Sequence, residues 1–64
     1  MKNKDLINYY KIGQELSYEN KNFPFWFETE REKIACLLGY NDFELGVCKE
    51  DEEIIKEINK IFGN

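Results

Sequence analysis

Four consecutive acids, Glu50-Asp51-Glu52-Glu53, form the densest group of chemically active side chains in this 64-residue chain. Carboxylates can transfer protons or bind hard cations. They can also imitate phosphates and so occupy a basic nucleic-acid channel on another protein. Which of these uses applies depends on the residues that the rest of the sequence supplies.

The partners that a catalytic nucleophile requires are scarce. The sequence contains no His, a single Ser at Ser17 and a single Thr at Thr29, so the common nucleophile–base pairs cannot be assembled. A chain this short also rarely encloses a pocket that shifts the pKa of a carboxylate. The acids lack the spacing of a calcium-binding loop, and no Cys/His metal motif is present. We expect no enzyme activity, no metal and no cofactor.

The charge distribution favours a protein partner. The formal net charge is −4, and residues 28–64 contain ten acids against five basic residues. Direct nucleic-acid binding requires Lys and Arg at the phosphates, so we expect a larger basic protein as the partner, with a second copy of the chain as a further candidate. The predicted partner-binding residues are Glu44, Glu50, Asp51, Glu52, Glu53, Glu57 and Trp26.

Trp26 belongs to the stretch Phe23-Pro24-Phe25-Trp26-Phe27, which has four aromatic rings in five residues. Pro24 biases the preceding residue to extended geometry, so the stretch is interpreted as an extended connector. Extended backbone directs the three phenylalanines to one side, toward the core, and leaves Trp26 partly exposed on the other. Interface anchors are often Trp or Tyr, and the candidates for exposed rings are Tyr9, Tyr18, Phe25 and Trp26.

Apolar residues at helical spacing predict a first helix over residues 4–18. Gly13 lies in its middle, where glycine costs about 1 kcal/mol relative to Ala. We therefore expect a close approach of another helix at Gly13, with a kink or a tolerated surface glycine as the alternatives.

Thr29 and Glu32 form a capping-box pattern that predicts a second helix over residues 30–38. Gly39 follows as a left-handed residue that would end this helix. Cys36 projects away from the other apolar residues of the helix, and we expect it to be buried as a small apolar side chain.

Residues 40–48 fit two structures. Phe43, Leu45 and Val47 alternate with other residues as in a short strand, which could pair with residues 23–27 as a two-stranded ribbon. Asn41 or Asp42 could instead cap a short helix. The strand would give an α+β fold, and the helix would give an all-α fold.

The third helix has the clearest pattern, with an apolar stripe of Ile54, Ile55, Ile58, Ile61 and Phe62 followed by Gly63 as a C-cap. The four acids occupy its first turn, where the helix dipole favours negative charge. A solvated helix start is therefore the first interpretation of the acidic run, and a patch that imitates phosphates is the second. We predict a mostly α-helical, small three-helix domain with an extended aromatic connector, formed as a single domain by residues 1–64.

The segment Ile34-Ala35-Cys36-Leu37-Leu38-Gly39-Tyr40-Asn41-Asp42 resembles the first helix and turn of some bacterial helix-turn-helix domains. The resemblance implies that the next segment would enter the major groove of DNA. That segment here carries Asp42 and Glu44 and no Lys or Arg before Lys49. A helix-turn-helix-like DNA-binding or regulatory domain is the alternative function.

The chain is small and acidic, and its many Lys, Asn, Ile and Tyr residues fit an AT-rich coding sequence. In these respects it is similar to small phage-encoded anti-defence proteins, the anti-CRISPR inhibitors among them. The resemblance implies an inhibitor that blocks a nucleic-acid-handling enzyme by direct protein–protein interaction. No apolar run could cross a bilayer and no signal-peptide core follows Met1, so we expect a cytoplasmic protein of a bacterial host cell, with no membrane association. In that compartment Cys36 and Cys48 should be reduced.

Overall fold

Three α-helices form the described part of the chain. The computed structural model describes residues 3–22 and 27–63, with side chains from residue 5 onward. Helix α1 spans Asn3–Glu19, α2 spans Glu30–Leu45 and α3 spans Asp51–Ile61, and these described ranges contain no strand. The prediction of a small, mostly α-helical three-helix domain is confirmed.

Helices α1 and α2 pack backbone against backbone, and each contributes one glycine. A Cβ atom added at Gly13 would collide with the carbonyl oxygen of Cys36 and lie 2.8 Å from the amide nitrogen of Tyr40. One added at Gly39 would collide with the carbonyl oxygen of Tyr10. The close approach predicted at Gly13 is confirmed, and Gly39 is its counterpart on α2.

The hydrophobic core lies beside this crossing and draws on all three helices. Leu6 and Tyr10 of α1, Ala35 of α2, and Ile54 and Ile58 of α3 are almost completely enclosed. Their surroundings are half-buried residues from the same helices, namely Tyr9, Leu38 and Ile55. Most of the interhelical contact is between α1 and α2, and α3 packs on both.

Cys36 is fully enclosed, as the sequence predicts. Its burial disfavours the thiolate and raises the pKa of the thiol to about 11. Cys48 is exposed, and both cysteines are free thiols. Cys36 therefore acts as a core residue, whereas Cys48 is accessible to solvent.

Helix α2 begins as the capping-box pattern predicts. The Thr29 hydroxyl accepts a hydrogen bond from the Glu32 amide at 3.2 Å. The Glu32 carboxylate accepts from the Glu28 amide at 3.0 Å, one residue earlier than a standard box would place it. The Thr29 hydroxyl therefore satisfies an amide that the first turn of α2 leaves free, and the Glu32 carboxylate ties down the residue before the cap.

The predicted end of the second helix at Gly39 is wrong. Helix α2 continues to Leu45 and ends at Gly46, which has a left-handed φ of 73° and donates its amide to the Phe43 carbonyl. Gly39 remains helical because its missing side chain is needed for the contact with α1. Residues 40–45 are helical but extend α2, so the alternative of a strand over residues 43–48 is wrong, and so is a separate helix that begins at Asn41 or Asp42.

The segment that resembles a helix-turn-helix corner contains no turn. Leu38, Gly39 and Tyr40 all lie inside α2, and the chain does not change direction until Gly46. The base-reading element implied by the resemblance is thus the last part of the same helix.

Helix α3 packs into the core through part of its predicted stripe. Ile54 and Ile58 are buried and Ile55 is half-buried, whereas Ile61 remains 53% exposed. Gly63 has the left-handed conformation predicted for it, although Phe62 is the residue that directly follows the helix. The stripe is therefore buried in its first two turns and exposed at its end.

The expectations for Phe23, Pro24, Phe25 and Trp26 lie outside the described residues. Phe27 is half-buried, and its ring meets the Tyr9 ring edge-on with 5.9 Å between centroids. Phe27 therefore packs on Tyr9, a half-buried neighbour of the core cluster, and is not itself part of that cluster.

Candidate functional site

Residues 50–53 form an exposed acidic turn at the start of α3. Glu50 directly precedes the helix without a side-chain capping bond, and the next three acids occupy the first turn. All four residues are exposed, and none forms an ion pair within residues 3–22 and 27–63. Their position matches the positive end of the helix dipole. The carboxylates are therefore free to meet cations from outside the chain.

An open groove of about 530 Å³ separates the acidic turn from α1. Asp51 and Glu52 line it together with Lys56, and Ile7 and Ile55 supply its apolar surface. Two carboxylates and one ammonium group thus surround two isoleucines. Such a surface combines charge recognition with a small apolar contact.

The other predicted partner-binding residues lie in different places. Glu57 follows Glu53 by one turn of α3 and is half-buried, so it extends the acidic turn along the helix. Glu44 is exposed near the end of α2, on a different helix. Trp26 lies outside the described residues. The structure therefore groups five of the seven predicted residues.

A buried polar network fixes the segment that leads into the acidic turn. The Tyr10 hydroxyl donates to Oδ2 of Asp42 at 2.5 Å, and Nζ of Lys49 donates to the same oxygen at 2.7 Å. Burial raises the pKa of Tyr10 well above its usual value, and the hydrogen bond to Asp42 raises it further. Because Lys49 directly precedes Glu50, this network holds the start of α3 against α1 and α2.

The other end of α3 is held by Arg31. Its guanidinium donates to Oδ1 of Asn59 at 3.0 Å and lies 4.8 Å from the centroid of the Phe62 ring. The second contact has cation–π geometry. Helix α3, and with it the acidic turn, is therefore anchored at both ends.

A second open groove, here called the aromatic groove, has a volume of about 700 Å³. The Tyr18 ring meets the Phe43 ring edge-on, with 5.8 Å between centroids. Tyr18 is 76% exposed, and Phe43 and Val47 are both 42% exposed. The lining residues include Lys11, Glu15, Tyr18, Phe43, Val47 and Cys48.

Sequence reasoning missed the aromatic groove, although it named Tyr18 as a candidate exposed ring. The groove exists because α2 continues past Gly39 and brings Phe43 to the end of α1. Phe43 lies in the last turn of α2 and Val47 lies just past the Gly46 cap, so no single periodic pattern in the sequence joins the two residues.

Metal-binding clusters and membrane-spanning helices are not found in the part of the chain that the structure describes. No group of three or more His, Cys, Asp or Glu residues there is arranged to hold a metal ion. None of the three helices is long and apolar enough to cross a membrane.

Comparison with known proteins assigns no family. No protein-family model matches the chain, and neither a curated protein nor a solved structure shows significant similarity to it. The function is therefore inferred from the surface of this molecule alone.

Proposed function

We propose that this chain is a small protein-binding inhibitor that blocks a larger basic protein by direct contact through its acidic turn. The target class that fits this charge is a nucleic-acid-handling enzyme, whose phosphate-binding channel the carboxylates would occupy. A phage-encoded anti-defence role, of which anti-CRISPR inhibition is an example, is the setting proposed for it in a bacterial cytoplasm. No catalytic step is part of this proposal.

The observation that carries the proposal is the state of the four acids at the start of α3. They are exposed, free of ion pairs to other described side chains and held on a helix that is anchored at both ends. A fixed array of like charges costs little further ordering when a partner binds. It also accelerates the encounter with an oppositely charged partner, and salt weakens this effect.

The experiment combines affinity capture with a matched pair of variants. The chain is immobilised, a bacterial lysate is passed over it, and the retained protein is purified and its affinity is measured at several salt concentrations. In the test variant Glu52→Gln and Glu53→Gln remove two charges from the acidic turn. In the control Asp5→Asn and Glu30→Gln remove two exposed charges elsewhere, each from the first turn of a helix.

We expect a basic, nucleic-acid-binding protein whose affinity falls with salt. The test variant should bind it on the order of 10-fold more weakly, and the control variant should bind like the unmodified chain. Equal affinities for both variants would contradict the role of the acidic turn. Direct binding of random duplex DNA at low salt would instead favour the helix-turn-helix-like alternative.

A further inference from the structure

We propose that the aromatic groove binds a second copy of this chain, giving a dimer with twofold symmetry. Three of the large apolar side chains that the described part of the chain leaves exposed lie together in this groove. Tyr18, Phe43 and Val47 line it, and each is at least 42% exposed, in a chain whose enclosed core is small. A groove lined by exposed apolar side chains offers a partner apolar surface to cover.

The charges in the groove identify a second copy as the occupant. Lys11 and Glu15 lie one turn apart on α1, and both line the groove. Neither forms an ion pair with another side chain of the described residues. In a twofold interface each contact occurs twice with the roles exchanged. Lys11 of each copy can therefore pair with Glu15 of the other, so that both charges are satisfied at once.

The aromatic groove also differs from the acidic turn in its net charge. One Lys and one Glu leave the lining without net charge, so it offers no special attraction to a basic protein. An unrelated partner would need both an apolar segment and a matching pair of opposite charges. A second copy supplies this pattern by symmetry.

The groove supplies only part of the area that a dimer requires. Stable interfaces at the small end of the usual range bury about 600 Å² on each partner. That is roughly an eighth of the 4657 Å² that this chain exposes. Tyr18 is largely exposed, but Phe43 and Val47 are already more than half covered within the chain. The polar rim must therefore supply the rest, and we expect a weak dimer that forms at micromolar concentration or above.

The test measures self-association by sedimentation equilibrium from micromolar to millimolar concentration under reducing conditions. We expect a monomer–dimer equilibrium that depends little on salt, because salt screens both the repulsion between two copies of net charge −4 and the attraction of the two Lys11–Glu15 pairs. Binding through the acidic turn should weaken with salt, so the two proposals can fail separately.

Two variants locate the interface. Tyr18→Ser removes an exposed ring from the groove and should weaken dimerisation at least 10-fold. Ile61→Ser removes an exposed apolar side chain from the end of α3 and serves as the control. That end lies near Arg31, at the start of α2, whereas the groove contains Phe43, near its end. Circular dichroism confirms that both variants keep their helices.

Cys48 provides an independent readout because it lines the groove and is exposed. Its rate of alkylation should fall as protein concentration rises through the dimerisation range, while buried Cys36 stays unreactive throughout. A chain that remains monomeric at millimolar concentration overturns the proposal and leaves the groove to an apolar segment of another protein. A dimer that Ile61→Ser weakens as much as Tyr18→Ser, or that leaves Cys48 equally reactive, also overturns it.

Discussion

Asp42 joins three parts of the molecule through a single carboxylate oxygen. Tyr10 reaches that oxygen from α1, Lys49 reaches it from the segment before α3, and Asp42 itself belongs to α2. The Asp42 side chain is only 7% exposed. A buried carboxylate is costly unless hydrogen bonds and an opposite charge compensate for lost water. Both donors are therefore needed to keep the network stable.

We predict that Tyr10→Phe destabilises the fold by about 1.5–3 kcal/mol, the usual effect of a hydrogen bond to a charged group. The ring would keep its place in the core, so the lost hydroxyl accounts for the change. Urea denaturation measures the free energy of unfolding. Tyr18→Phe is the matched control, because its hydroxyl lies on a ring that is 76% exposed. Equal stability of the two variants would show that the Asp42 contact contributes nothing.

The buried thiol of Cys36 makes stability depend on alkaline pH. Burial raises its pKa from 9.0 to about 11, so the unfolded chain loses this proton at lower pH than the folded chain. The contribution of this thiol to the free energy of unfolding is complete below about pH 9 and is lost as pH rises toward about 11. We predict that Cys36→Ala flattens the fall of the urea midpoint between about pH 8 and about pH 11, since it removes this titration.

The control for the pH series is Cys48→Ala, because Cys48 is exposed. It should keep the full pH dependence of the unmodified chain. The raised pKa of Tyr10 also lowers stability as pH rises, so some loss of stability at alkaline pH remains in both variants. Identical slopes for the two cysteine variants would rule out a contribution from the buried thiol.

The crossing of α1 and α2 depends on two glycines that helix propensity alone disfavours. Replacing a glycine inside a helix by Ala ordinarily stabilises it by about 1 kcal/mol. At Gly39 the added methyl group would meet the backbone of Tyr10, which cannot move without separating the helices. At this position the added methyl group therefore lowers the free energy of unfolding through packing, whereas it raises it through helix propensity.

We predict that Gly39→Ala destabilises the protein by about 3 kcal/mol or more, through overpacking against a rigid neighbour. The control is Gly46→Ala, where a Cβ would meet nothing within 4 Å. Its left-handed φ of 73° should cost about 1–2 kcal/mol. Thermal unfolding of both variants gives the comparison. A gain in stability at Gly39 would mean that the helices can separate at little cost.

The sequence predicted those elements whose signals are local. Thr29 and Glu32 mark the start of α2, and the isoleucines of α3 mark its buried face. The end of α2 could not be predicted, because Gly39 has the same local pattern whether it ends a helix or packs in one. Only the position of α1 decides between these uses. The Asp42 network and the aromatic groove depend on the same long-range contact, so they were missed with it.

The molecule as a whole presents two surfaces of different character. The acidic turn carries unpaired negative charge on an anchored helix, and the aromatic groove is neutral and apolar. Residues 49 and 50 connect them, since Cys48 lines one groove and Asp51 lines the other. A dimer formed through the aromatic groove would therefore display two acidic turns. Such a bivalent form could engage two sites on one target and gain avidity without new contacts.

The pair of glycines also supplies a way to recognise distant relatives. Every residue between the capping Thr29 and Gly39 is helical, so an insertion there would rotate the glycine away from α1. The connector between α1 and α2 is under no such constraint from the crossing. We therefore expect relatives with little overall identity to keep a Ser or Thr capping box. A glycine should follow ten residues after the cap, as Gly39 follows Thr29. A second glycine in the preceding helix would complete the signature, at a spacing that varies with the connector.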